Sequence, residues 1–498
     1  MTLEQALARL DKLEEAQSAY YHAMGAISYD GETVAPKQSL TGRSRTLGYL
    51  SGLTYQLLVN DEVKEALETI LQSDAATPVQ RRRAEVLKED YDDMTRIPMD
   101  EYVEYTKLSS EASAVWHDAK EKSDYAMFAP YLEKLLSYQR RFASYKDATK
   151  PAYDVLLDSF EKGTSMATLD PFFATLRERL APVILAIGEK PAPRTDFLRG
   201  NFPIWKQRQL SERVMAMMGL DRERCIIGET EHPFTDNFNK WDVRITTHYY
   251  EEDVASSLYS VVHEGGHALY ELGVSDDLQF TCLGGGSSMG IHESQSRFYE
   301  NIIGRSLPFC TALLPVLAEL FPEKMADVTP ELLYAAVNCA QPSLIRTEAD
   351  ELTYAMHVMV RYELEKRMIG GDVQVDELPE MWNDFYKQYL GVTVPNDRAG
   401  ILQDSHWSGG AFGYFPSYAL GSAYGAQMLR AMEKELNPWP AIERGDFGPV
   451  TAWLGERVHQ PGRLLNPAQI LERAIGEPFD PTCYTDYLTK KFTELYQL

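Results

Sequence analysis

A mainly α-helical fold is what this sequence predicts, on three observations. Apolar residues recur at helical rather than strand spacing, as in Leu3, Leu7, Leu10 and Leu13. Capping residues stand directly before prolines at Asp170-Pro171 and Thr329-Pro330, as they do at helix starts. Two histidines four residues apart, His263 and His267, fall in a run that reads as helix on both sides.

Taken in order, the elements begin with an amphipathic helix from Leu3. Residues 1–190 continue as a series of helices with charged outer faces. Gly188-Glu189-Lys190-Pro191-Ala192-Pro193 is a turn or short linker. It is a candidate lobe break, near 188–195, within a single domain spanning 1–498. It would separate an N-terminal helical part (1–190) from a catalytic part (196–498). One segment, Asp242 to Tyr249, reads as a strand, with Val243, Ile245, Thr247 and Tyr249 on one face. An extended peptide could lie beside it by edge pairing.

A helix then follows the acidic run Glu251-Glu252-Asp253 and stops near Gly273. Gly265 and Gly266 inside it each weaken the helix by about 1 kcal/mol relative to Ala. Their presence predicts a close approach by another element. After the loop Gly284-Gly285-Gly286-Ser287-Ser288, a further helix opens at His292-Glu293.

Composition excludes some functions. The 498 residues carry a net charge of −25, with a pI near 4.9 and 44% hydrophobic residues. No basic face is concentrated anywhere, so nucleic acid is not a partner and an anionic membrane is disfavoured. Five cysteines without a CxxC pair read as reduced thiols. The N-terminus lacks the basic and apolar regions of a signal peptide, and the apolar stretch Pro308–Pro322 is too short to span a bilayer. The expectation is a soluble, cytoplasmic protein.

The chemistry concentrates where the histidines do. Seven of the ten lie between His232 and His406. His263-Glu264-Gly265-Gly266-His267 puts two imidazoles on one helix face, where they can grip a zinc ion, with Glu264 as general base on the zinc-bound water. A catalytic zinc takes a third protein ligand. Glu293 is the favoured candidate and His292 the competitor. His406 and Tyr414, flanking the glycine-rich and mobile-looking stretch Ser408 to Gly413, are candidates to stabilise the oxyanion. Arg346 and Arg244 could each hold a carboxylate bidentately; from spacing alone both read as salt-bridge residues.

Six ordered motifs give the chain its resemblance to the carboxypeptidase Taq family of metallocarboxypeptidases. They are His232-Pro233-Phe234 (HPF); Asp242, Arg244 and Thr246 (DxRxT); His263 to His267 (HExxH); His292 to Gln295; Ile345-Arg346 with Ala349-Asp350 (IRxxAD); and Gly400, Gln403, Asp404, His406 and Trp407 (GxxQDxHW). The resemblance implies a neurolysin-like fold, two helical lobes around a deep groove with a small sheet beside the zinc helix. It implies a homodimer that uses zinc, or cobalt in its place. It also implies release of single C-terminal residues from peptides with a free C-terminus, with broad preference. Arg346 would bind the terminal carboxylate at a closed groove end, with Arg244 and His232 as further substrate-binding candidates. An oligopeptidase or dipeptidase on the same scaffold is the alternative.

Overall fold

The computed structural model describes residues 1–498. Helices take 69% of them and one three-stranded sheet interrupts the series. The first helix, Leu3–Thr33, starts at a reciprocal cap: Gln5 N–H donates to the Thr2 hydroxyl (3.2 Å) and Thr2 N–H to the Gln5 side chain (2.9 Å). Its buried stripe of Ala6, Leu10 and Leu13 joins Val63, Leu67 and Ile70 in a small core of ten residues built by the N-terminal helices.

The main core holds 101 buried residues. It draws Leu180 and Ile184 from before the 188–195 stretch and Leu198 and Leu210 from after it. That stretch ends the helix Met166–Gly188, and the core continues across it. Thr329 caps the helix Pro330–Val337 as expected. Asp170-Pro171 does not start a helix. The helix there is capped earlier by Ser165, so Pro171 falls inside it, and Asp170 instead accepts hydrogen bonds from Tyr362 and Lys366 (2.7 Å each).

The sheet comprises β1 (Cys225–Glu229), β2 (Thr235–Asn239) and β3 (Asp242–Thr247), in the order β1-β3-β2. β3 runs parallel to β1 and antiparallel to β2. Val243, Ile245 and Thr247 are buried as read from sequence, but so is Thr246 on the opposite face, and the strand ends before Tyr249. β3 is the central strand, however, with both edges paired, so no peptide can add to it; the free edges belong to β1 and β2. The apolar run near Pro308 is the helix Leu307–Leu320, and no single helix is long and apolar enough to cross a membrane. All five cysteines are free thiols.

Candidate active site

Two helices build the site. The first, Val254–Gly273, is capped by Asp253, whose carboxylate accepts from Ala255 N–H (3.0 Å). The second, Met289–Arg297, is capped by Ser288, which accepts from Ile291 N–H (3.1 Å). They meet through Gly266. A Cβ there would lie 2.8 Å from the Gln295 carbonyl oxygen and 2.8 Å from the Ser296 Cα. On its other side the second helix meets Gly421 of the helix Pro416–Glu435, where a Cβ would lie 2.8 Å from the Glu293 Cβ. The close approach predicted at the paired glycines is therefore backbone against backbone at Gly266. At Gly265 the neighbour is the end of the Met218 side chain.

This packing brings His263, His267 and Glu293 together, with one ligand atom of each within 4.8 Å of the others. Glu293 Oε2 lies 3.9 Å from His263 Nε2 and 3.7 Å from His267 Nε2. Ligands around a tetrahedral zinc stand roughly 3.3–3.5 Å apart at ordinary bond lengths, so a small inward adjustment closes the set on an ion. The outer imidazole nitrogens are all engaged. His263 Nδ1 meets Glu300 Oε2 at 2.9 Å. His267 Nδ1 meets His292 Nδ1 at 2.7 Å, and His292 Nε2 meets Glu271 Oε1 at 2.6 Å. With Nδ1 bonded outward, each Nε2 presents its lone pair to the ligand cluster. His292, the competing third ligand in sequence terms, stands behind His267 with both nitrogens occupied.

Electrostatics follow from burial and these partners. Burial works against a charged His263, yet the Glu300 hydrogen bond and the Glu293 charge hold its pKa above the usual value. Burial and the neighbouring His292 push His267 well below it. Burial also opposes ionisation of Glu300, but Arg297 and the bond to His263 keep its carboxyl below the usual range. Arg297 Nε donates to Glu293 Oε1 (2.7 Å), so Oε2, which accepts from Ser296 (3.1 Å), turns toward the imidazoles. Past Arg297 the helix widens into a π turn, Phe298–Ile303, which carries Glu300. Glu264 is buried beside the ligands. Its Oε2 accepts from the Thr235 hydroxyl of β2 (2.6 Å), and burial, outweighing His263, raises its pKa.

A second cluster lies one residue layer away. Arg346 is 6% exposed, and its Nε and Nη2 both reach Asp404 Oδ1 (3.0 and 2.9 Å). Its Nη1 donates to the Tyr354 hydroxyl (3.2 Å). Arg361, fully buried, takes the other oxygen of Asp404 (2.6 Å). The Arg297 guanidinium sits 4.5 Å over the Tyr354 ring, so Tyr354 joins the ligand helix to Arg346. His406 stacks on Phe415 (4.4 Å) and Tyr414 (5.5 Å). Burial and the Arg346 charge push its pKa down to about 4, so the ring is neutral at neutral pH. Tyr414 packs edge-on against Tyr418 (5.1 Å).

The stretch between His406 and Tyr414 is not mobile in character. Gln139 donates to the Gly410 carbonyl (2.9 Å), and Gly413, at φ +91°, would push a Cβ into the Leu156 backbone at 2.8 Å. Just before it, Trp116 and Lys120 donate to the Leu402 and Gln403 carbonyls (3.1 and 2.7 Å). Its glycines serve tight packing.

Two sequence candidates stand apart. Arg244 pairs bidentately with Asp242 (2.8 Å twice) and stacks on Phe238 (4.5 Å), with no partner in the metal cluster. His232 is exposed in the turn between β1 and β2. Sequence reasoning also missed residues that matter. Glu271 continues the four-residue spacing of His263 and His267, while Arg297 and Glu300 follow Glu293 by four and seven, so helical periodicity could have found all three. Thr235, Tyr354 and Arg361 carried no such signal.

The family model for carboxypeptidase Taq (M32) metallopeptidases matches residues 9–492. The chain belongs to that family. Among its M32 relatives, carboxypeptidase 1 of Bacillus subtilis is 40% identical over 486 residues, covering 97% of each chain. Thermostable carboxypeptidase 1 of Thermus thermophilus is 36% identical over 516 residues, covering 100% of each. The crystal structure of an M32 carboxypeptidase from Deinococcus radiodurans superposes with a TM-score of 0.97 at 35% identity, across 99% of this chain and 100% of that one. The chain is thus a metallocarboxypeptidase, a peptide hydrolase, with a divalent-metal site for which His263, His267 and Glu293 are the candidate ligands.

Proposed function

We propose that the chain, acting as one catalytic unit over 1–498, removes single residues of broad type from the C-termini of peptides, with zinc, or cobalt in its place, held by His263, His267 and Glu293. The bound ion supplies a Lewis acid that polarises the scissile carbonyl and acidifies water. Glu264 takes the proton from the attacking water and returns it to the departing amine; its raised pKa suits both steps. The Tyr414 hydroxyl donates to the oxygen that gains charge. His406, being neutral, contributes a hydrogen bond rather than a charge. Arg244 and His232 are further substrate-binding candidates, outside the metal cluster. A cytoplasmic homodimer is the expected setting.

The observation that carries the reading is Arg346. It is a buried guanidinium, fixed by Asp404 through Nε and Nη2, whose Nη1 has only the Tyr354 hydroxyl for a partner. It is tied to the metal-ligand helix through Tyr354 and Arg297. The fork fits a terminal carboxylate, which a continuing peptide chain lacks. Wild type should cleave free-acid peptides and ignore C-terminally amidated versions. Arg346→Ala should lose about 2–5 kcal/mol in kcat/KM on free acids, as for a charge-assisted contact whose partner stays buried, with metal content unchanged. Equal cleavage of amidated and free peptides by wild type would replace this reading with an oligopeptidase.

A further inference from the structure

The loop bearing His406 and Tyr414 rests on a carboxylate that the reaction itself does not use. Glu365 lies on the helix Glu351–Gly370 and is fully buried. Its Oε1 accepts from the Trp407 indole N–H (2.8 Å). Its Oε2 accepts from the Gly413 backbone N–H (2.8 Å) and the Tyr153 hydroxyl (2.9 Å). Trp407 directly follows His406, and Gly413 directly precedes Tyr414. One side chain thus grips the loop beside each of the two residues given catalytic roles above. Tyr153, the third donor, comes from the helix Ala152–Phe160. The same helix supplies the Leu156 backbone against which Gly413 packs.

We infer that Glu365 is a positioning residue, whose carboxylate fixes the Trp407–Gly413 segment so that the His406 ring and the Tyr414 hydroxyl are held ready before substrate arrives. Three donors converge on two oxygens, an arrangement that an ionised carboxylate satisfies and a carboxamide cannot; burial lifts the Glu365 pKa to about 7, and these three donors pull it back down. Glu365→Gln keeps the shape but aims an NH2 group at an existing donor, breaking the grip on one side. A buried donor left unpaired shifts until it finds a partner. A displacement of about 1 Å in a catalytic group is enough to lower turnover on the order of a hundredfold. Glu365 touches neither the metal ligands nor Arg346, so metal binding and carboxylate recognition should survive. The inference rests on the roles given above to His406 and Tyr414.

The test uses metal-loaded full-length enzyme and four variants, Glu365→Gln, Trp407→Phe, Tyr414→Phe and His406→Ala. Each is assayed for kcat, KM, metal content and melting temperature with a free-acid peptide. Glu365→Gln and Trp407→Phe should keep about one ion per chain and a KM within roughly threefold of wild type. Their kcat should fall about tenfold or more, measured well below melting. Trp407→Phe removes the indole N–H donor together with part of the buried ring, and carries the test if Glu365→Gln fails to fold. If either variant folds, holds metal and keeps its kcat while Tyr414→Phe or His406→Ala loses turnover, the positioning role is wrong and the catalytic reading stands. If Tyr414→Phe and His406→Ala both retain wild-type turnover, the catalytic reading itself falls and takes the inference with it.

Discussion

The seam between the two ligand helices allows a sharp test, because adjacent glycines face different neighbours. In Gly266→Ala the new methyl would lie 2.8 Å from the Gln295 carbonyl oxygen and the Ser296 Cα, where ordinary contact begins at 3.4 Å. Both neighbours are backbone, so the helices must part by about 0.6 Å. Metal ligation tolerates only about 0.2 Å of error in each bond. The shift therefore widens the 3.7 and 3.9 Å gaps between Glu293 and the two histidines that ion binding has to close. Metal affinity should fall on the order of 10–100-fold, as when ligand support is disturbed. In Gly265→Ala the methyl meets the Met218 side-chain end at 2.7 Å, which can swing away, and the helix gains about 1 kcal/mol of propensity. Its metal affinity should match wild type. Competition titration against a chelator measures all three proteins. Equal affinity in Gly266→Ala, Gly265→Ala and wild type would refute the claim that backbone contact at this seam sets the ligand geometry.

Other expectations follow from the same site. Glu264→Gln should keep its ion while kcat drops at least roughly 100-fold, as on losing a general base; loss of metal with full recovery of rate on resupply would mean that Glu264 had been given the wrong job. Chelation should abolish peptidase activity, and zinc or cobalt added back at about one ion per chain should restore it; metal-free protein that still turns over would contradict the three-ligand site.

The helices announced themselves because burial imposes a period on the sequence. Leu10 and Leu13 in the first helix and the Asp253 cap before the ligand helix are local signals that tertiary packing left intact. Gly266 was legible too, since a glycine mid-helix points to a close approach; Gly265 meets only the end of the Met218 side chain. β2, Thr235–Asn239, was not: its residues are TDNFN, polar on a mostly half-buried edge strand, so apolar alternation never develops. Only the central strand, apolar on its buried face, could be seen, and that led to the mistaken expectation of a free edge at β3. Asp170-Pro171 misled because the helix begins earlier, with Ser165 at its N-cap five residues upstream. The grouping of His263, His267 and Glu293 was readable from motif and spacing. The support around it depends on the crossing of distant segments, Thr235 with Glu264 and Arg361 with Asp404, and no local pattern encodes such pairs. The glycines before Tyr414 suggested mobility, since the Leu156 backbone that fills the space beside Gly413 lies far away in the chain.

The helix carrying Glu293 is wedged between two others, against Gly266 on one side and Gly421 on the other. Its place is set by close contacts on both sides, inside a core of 101 residues. Small zinc domains differ, since in them the metal organises the chain and its removal unfolds it. A ligand helix packed on both sides in this way would leave the free energy of ion binding unspent on ordering the polypeptide. Exchange of one divalent ion for another then becomes an equilibrium between occupants of a standing socket, ranked by the intrinsic preferences of two imidazoles and a carboxylate.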